Sequence, residues 1–91
     1  MRSLMAMSED QIQKTMKILT TWNPLGDRSS LITDLDNYRT EAIDILAHIN
    51  DHSDPSIGVR EVLNQAFNLN LSKDECVKAA KEIKKIKSEK R

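Results

Sequence analysis

"TTWNPLGDRSS", residues 20–30, decides how this chain folds, because it is where the first helical pattern is made to stop. Asn23 precedes Pro24, and the proline ring disfavours helical backbone at the residue before it. Asn23, Pro24, Leu25 and Gly26 then match the four positions of a type I turn. Trp22, the only tryptophan, is placed to bury its ring beside a core while keeping its N–H near water. The stretch reads as a corner, with "DRSS", and Arg28 in it, as its exposed polar part. A lone Gly26 with no Gly-Lys-Ser/Thr after it excludes a phosphate-binding loop. The connection from Asn23 to Ile32 is long for a small bundle, however, and long ordered loops commonly carry function.

On either side of the corner, helical periodicity appears four times. "SEDQIQKTMKILTTW" opens with Ser8 and Gln11 in capping-box spacing, with Glu9 and Asp10 at the positive end. Ile12, Met16, Leu19 and Trp22 form its stripe. The spacing in "TDLDNYRTEAIDILAHIND" predicts a second helix capped by Thr33 or Asp34, with Leu35, Tyr38, Ala42, Ile45, Leu46 and Ile49 on one face. Asp54-Pro55 is the favoured order of cap and first helical residue for a third, carrying Val59, Val62, Leu63, Ala66 and Phe67. Gly58 weakens its start by about 1 kcal/mol relative to Ala. Ser72 and Glu75 repeat the capping box, and Cys76, Ala80, Ile83 and Ile86 line the last helix. No alternating run reads as a strand. The expectation is all-α: a compact bundle of about four short helices, with residues 1–7 a flexible segment, 8–87 one helical domain and 88–91 a frayed basic tail.

Bulk composition agrees with that expectation. Ninety-one residues suit one domain, and a chain of this size buries roughly 60–65% of its unfolded surface. Aromatics are only 3% of the chain, so aliphatic residues must build the core. Net charge is zero but segregated: from Lys78 onward seven cations face two carboxylates, which leaves the first 77 residues at −5. No run is apolar enough for a membrane span. A single cysteine excludes an internal disulfide and suits a reducing compartment, so the chain reads as cytoplasmic.

Chemistry-bearing residues are few. His48 and His52 stand four apart, with Asp44 four before His48, a spacing open to a divalent ion. "NDHSDP" is turn-like, however, and no fuller metal motif supports the pair, so neither metal nor cofactor is assigned. Cys76 lies in the first turn of its helix, where a dipole lowers a thiol pKa, but its place in the apolar stripe makes it a small core residue. Glu41 and Asp44 fall on what reads as an exposed face beside Arg39. No grouping of nucleophile, base and oxyanion donor emerges, and the chain is not expected to be an enzyme.

The chain resembles the YugE-like family of small bacterial helical proteins. The likeness is carried by "ILTTWNPLG" (18–26), "DNYRTEAIDIL" (36–46), Ala66-Phe67 and "ECVKAAKEI" (75–83). Trp22, Pro24, Tyr38, Glu41 and Cys76 match best, and "DRSSLITD" departs most. The resemblance implies one compact helical domain and supplies no site residue, since the family's function is unassigned. The residues themselves favour a non-enzymatic protein-binding module of unidentified partner, of the kind an immunity-type or regulatory inhibitor would be. Its expected face is acidic: Asp34, Asp36, Tyr38 and Glu41, with Trp22 and Arg28 of the corner. Tyr and Trp beside charge are usual interface anchors, and an acidic face suits a basic partner. The alternative is nucleic-acid binding through the Lys-rich last helix, disfavoured because that helix has no interleaved aromatics and no second basic element. Homodimerisation stays open.

Overall fold

The computed structural model describes residues 8–32, 35–49 and 54–88. Four α-helices run in chain order: α1 (Glu9–Trp22), α2 (Arg39–His48), α3 (Pro55–Phe67) and α4 (Lys73–Ser88). Two short 3-10 segments, Gly26–Leu31 and Asp36–Tyr38, link α1 to α2. There is no strand among the described residues. Each helix packs on two neighbours, α1 and α3 both lying beside α2 and α4, which closes the four into a ring around one core. The radius of gyration, 12.6 Å, is close to the roughly 12 Å of a compact chain this long.

Capping chemistry sets most helix ends. Ser8 Oγ accepts from the Gln11 N–H at 3.1 Å, while Gln11 Oε1 accepts from the Ser8 N–H at 3.2 Å. Ser72 and Glu75 make the same reciprocal pair at the head of α4. At α3 the Asp54 carboxylate accepts from both the Ser56 N–H and the Ser56 hydroxyl, with Pro55 in the first turn, where its missing N–H costs nothing. Asn23 and Asn68 end α1 and α3 in left-handed conformation (φ 52° and 54°), which Asn tolerates better than most residues. The corner closes through the Gly26 N–H to the Asn23 carbonyl at 2.9 Å, with Gly26 itself at φ +61°.

The predicted stripes form the core. Ile12, Met16 and Leu19 of α1 meet Ala42, Ile45 and Leu46 of α2, Val59, Val62 and Leu63 of α3, and Cys76, Ala80 and Ile83 of α4. Leu25, from the corner, joins them. Thr15 is fully buried and satisfies its hydroxyl on the Gln11 carbonyl one turn back.

One boundary differs from the reading of the sequence. The second helix begins at Arg39, not near Thr33 or Asp34, which lie outside the described residues together with 1–7, 50–53 and 89–91. Asp36, Asn37 and Tyr38 all take positive φ (48°, 55° and 67°), so α-helix cannot pass through them. The apolar spacing that suggested one continuous helix is real, but tertiary contacts of Tyr38, not helical continuity, place its ring in the core. Ala66, expected on the inner face of α3, is exposed.

Candidate functional site

The corner is built around Tyr38. Its hydroxyl donates to Asn23 Oδ1 at 2.7 Å and accepts from the Leu25 N–H at 3.3 Å. Its ring stands edge-on to Phe67, with centroids 6.1 Å apart. The side chain is only 2% exposed, and burial pushes its phenol up, against the opposing effect of the Leu25 amide. A solvent-facing anchor role for Tyr38 is therefore corrected: the residue is the latch that fastens the WNPLG turn to the head of α2.

Glu41 is corrected in the same way. It sits at 8% exposure in the first turn of α2 instead of on an outer face, whereas Asp44 is exposed. It lines a cleft of about 560 Å³ with Arg28, Ile32, Leu35 and Phe67. Arg28 is exposed, and its guanidinium donates to the Phe67 carbonyl at 3.2 Å, which satisfies an orphan acceptor at the end of α3 and ties the 3-10 segment down. Asp36 is exposed at the turn, and Asp34 lies outside the described residues. Arg28 and Tyr38 thus serve the corner as structural members, with Glu41 buried in the adjoining cleft. Trp22 looks elsewhere.

Charge at the head of the bundle is also structural. Arg39 grips Glu9 with both terminal guanidinium nitrogens, Nη2 at 2.7 Å and Nη1 at 2.8 Å, and joins α2 to α1. Those bonds, helped by Gln13, lower the Glu9 carboxyl to about 2. Lys87 leaves the basic face of α4 altogether: its ammonium donates to the Leu46 carbonyl at 2.8 Å and to the Ile49 carbonyl, capping α2.

Cys76 is buried, and desolvation pushes its thiol up to about 11, so the helix dipole does not make it a nucleophile at neutral pH. The His48 ring bonds the Asp44 carbonyl one turn back, and His52 lies outside the described residues. Among the described residues no three His, Cys, Asp or Glu side chains cluster as a metal site would require. No described helix is long and apolar enough to cross a membrane.

A concavity of about 770 Å³ lies between α1 and α4. The two helices run antiparallel, since Gln11 at the start of α1 donates to the Ile86 carbonyl near the end of α4. Ile18, Trp22, Ala79 and Ile86 supply its apolar floor. Lys14 and Lys17 form the α1 rim, and Glu75, Lys78, Glu82 and Lys85 alternate along the α4 rim. The sequence reading missed this site, although two residues could have signalled it. Ile18 stands one position before the core residue Leu19, and Ala79 one before Ala80. Each is an apolar residue just off its inner stripe, and the fold brings the two off-stripe positions to one groove.

The family model described as a domain of unknown function (DUF1871) matches residues 14–91, and the chain belongs to that family. No curated protein and no solved structure matches it.

Proposed function

We propose that this member of the DUF1871 family is a non-enzymatic protein-binding module, and that it binds through the α1–α4 groove instead of the acidic corner. The observation that carries this is the groove's construction: an apolar floor ending in the half-buried Trp22, open to solvent between two lysine-bearing rims. Trp in a partly dry cleft with polar surroundings is the arrangement from which interface anchors are made. The burial of Tyr38, whose hydroxyl is bonded within the fold, and of Glu41 supports a face other than the acidic corner. Inhibitors of the immunity type fall within this class, with the expected partner surface now acidic instead of basic. The YugE-like likeness, carried by Trp22, Pro24, Tyr38, Glu41 and Cys76, and a cytoplasmic bacterial setting belong to the same proposal.

The test is a native pull-down from host lysate, with and without nuclease, comparing the chain with its Lys17→Glu/Lys78→Glu variant. Both lysines lie on the groove's rims, and neither enters an ion pair among the described residues. A protein that survives nuclease and is lost by the variant supports the proposal. Equal capture by both chains refutes the groove as the site. Material that vanishes with nuclease would favour nucleic-acid binding through α4.

A further inference from the structure

We infer that the occupant of the α1–α4 groove is one acidic amphipathic helix of a partner protein, its apolar stripe on Trp22 and Ile18 and its acidic flank toward α1. This rests on the reading of the groove as the binding site and adds the chemistry of what enters it.

Backbone chemistry selects a helix. Both walls are α-helices whose own amides and carbonyls are already paired, so the groove has no ladder to share with an extended strand. A helix satisfies its own backbone while laying an apolar stripe on that floor. Length agrees. Lys14 to Trp22 spans nine residues of α1 and Glu75 to Ile86 twelve of α4, or about 12 and 16 Å between end residues at a rise of about 1.5 Å per residue. A helix of two to three turns, with apolar residues at i, i+4 and i+7, covers that floor.

Charge selects the sign and assigns the flanks. The α1 rim carries the Lys17 ammonium, the Thr21 hydroxyl and Lys14, which is paired with Asp10 at 3.4 Å. The α4 rim alternates Glu75, Lys78, Glu82 and Lys85. A docked helix therefore meets lysine without a lining carboxylate on the α1 side and mixed charge on the other. Its α1-facing flank should be Asp/Glu-rich, and its α4-facing flank should be mixed or neutral. A nucleic-acid backbone fits poorly, because Glu75 and Glu82 would repel phosphates and the floor would be left facing an ionic chain.

The test uses two synthetic 18-residue peptides, stapled to hold the helix, with the same leucine stripe. One carries glutamates along one flank and the other carries lysines there. Trp22, the sole tryptophan, reports binding by its own fluorescence. At low salt the glutamate peptide should bind on the order of tenfold more tightly than the lysine peptide, a modest factor because exposed ion pairs are individually weak. That preference should shrink at ~0.5 M salt, where charges are screened. In the full-length Lys17→Glu chain, with its circular dichroism unchanged, the preference should fall or invert. Equal binding of the two peptides, binding of neither, or a preference indifferent to Lys17→Glu would overturn the inference. Self-association in sedimentation that Lys17→Glu abolishes would give the groove to a second copy and overturn it too. If a lysate protein is lost by the rim variant while the acidic peptide gains no advantage, the binding module stands and this inference alone falls.

Discussion

Replacing Tyr38 by Phe separates a structural tyrosine from a binding one. The change keeps the ring against Phe67 and deletes only the hydroxyl that bridges Asn23 Oδ1 and the Leu25 N–H. Asn23 is half-buried, and its amide also reaches the Gly26 carbonyl. Water can replace its lost partner, so that bond counts for about 0.5–1 kcal/mol. Leu25 is buried, and its amide has no substitute partner, so stranding it costs about 1–2 kcal/mol. The sum is about 2 kcal/mol, which for a domain of this size lowers Tm by roughly 8–16 °C.

Urea unfolding followed by both far-UV circular dichroism and Trp22 fluorescence measures it, with an unchanged m-value showing that the fold is retained. Tyr38→Ala is the less informative variant. Emptying a core aromatic site costs about 3–5 kcal/mol, a large share of the 5–15 kcal/mol typical of a whole domain, so loss of any partner would follow from unfolding. A Tyr38→Phe chain as stable as the parent within ~0.3 kcal/mol, yet weakened in partner capture, would refute the latch and restore Tyr38 as an interface residue.

Other consequences follow from equally local observations. Gly58→Ala should stabilise α3 by about 0.5–1 kcal/mol, because an added Cβ would meet Ile49 and His48 at 3.6 and 3.8 Å, ordinary contact distances; a lower Tm would contradict the packing between α2 and α3. Stability should fall on acidification from about pH 4.5 toward 2. Glu9, held by Arg39, and Asp54, held chiefly by Ser56 and then Lys73, both lie near 2 when folded and higher when unfolded. Their contribution is complete above the unfolded value and lost as pH drops through the folded one. Urea titrations of Glu9→Gln and Asp54→Asn should each show a shallower pH slope. Native Cys76 should react with a disulfide reagent at pH 7–8 only as fast as the chain opens, since it is buried with its thiol near 11; immediate labelling in native buffer would refute its burial. Lys87→Met should cost about 1 kcal/mol by uncapping α2, whereas Lys81→Met, on the exposed side, should stay within ~0.5 kcal/mol.

The helices were legible wherever a local rule acts alone. Ser8 with Gln11, Asp54 with Ser56, and Ser72 with Glu75 announce helix starts because the partner lies two or three residues away on the chain. The head of α2 was misread because its determinants are distant. What turns Asp36, Asn37 and Tyr38 left-handed is a bond network reaching back to Asn23 and Leu25 and a ring on Phe67. A left-handed residue costs about 1–2 kcal/mol, and a bulky one persists there only where its surroundings hold it. Lys87 shows the same limit. In the sequence it is one lysine among many, and only the fold shows it bonded to the end of α2.

The burial of Tyr38 was hidden for a related reason. Tyr38 beside Asp36 and Glu41 is a pattern shared by interfaces and by buried latches, because both want a ring with a polar tip. Pattern alone cannot choose between them, whereas a satisfied hydroxyl at 2% exposure can. Lysines taken singly along a helix read by default as a solvated face. What alters their meaning is Ala79 and Ile86, seven residues apart, brought opposite Ile18 and Trp22 by antiparallel packing. Lysines flanking an apolar groove raise the local concentration of an acidic segment and orient it before any apolar contact forms. The same lysines scattered over a polar face would do neither. The groove takes one off-stripe residue from each helix, Ile18 and Ala79, together with Trp22 and Ile86 from the ends of the stripes. Filling their groove should remove capture more completely than any change at the acidic corner.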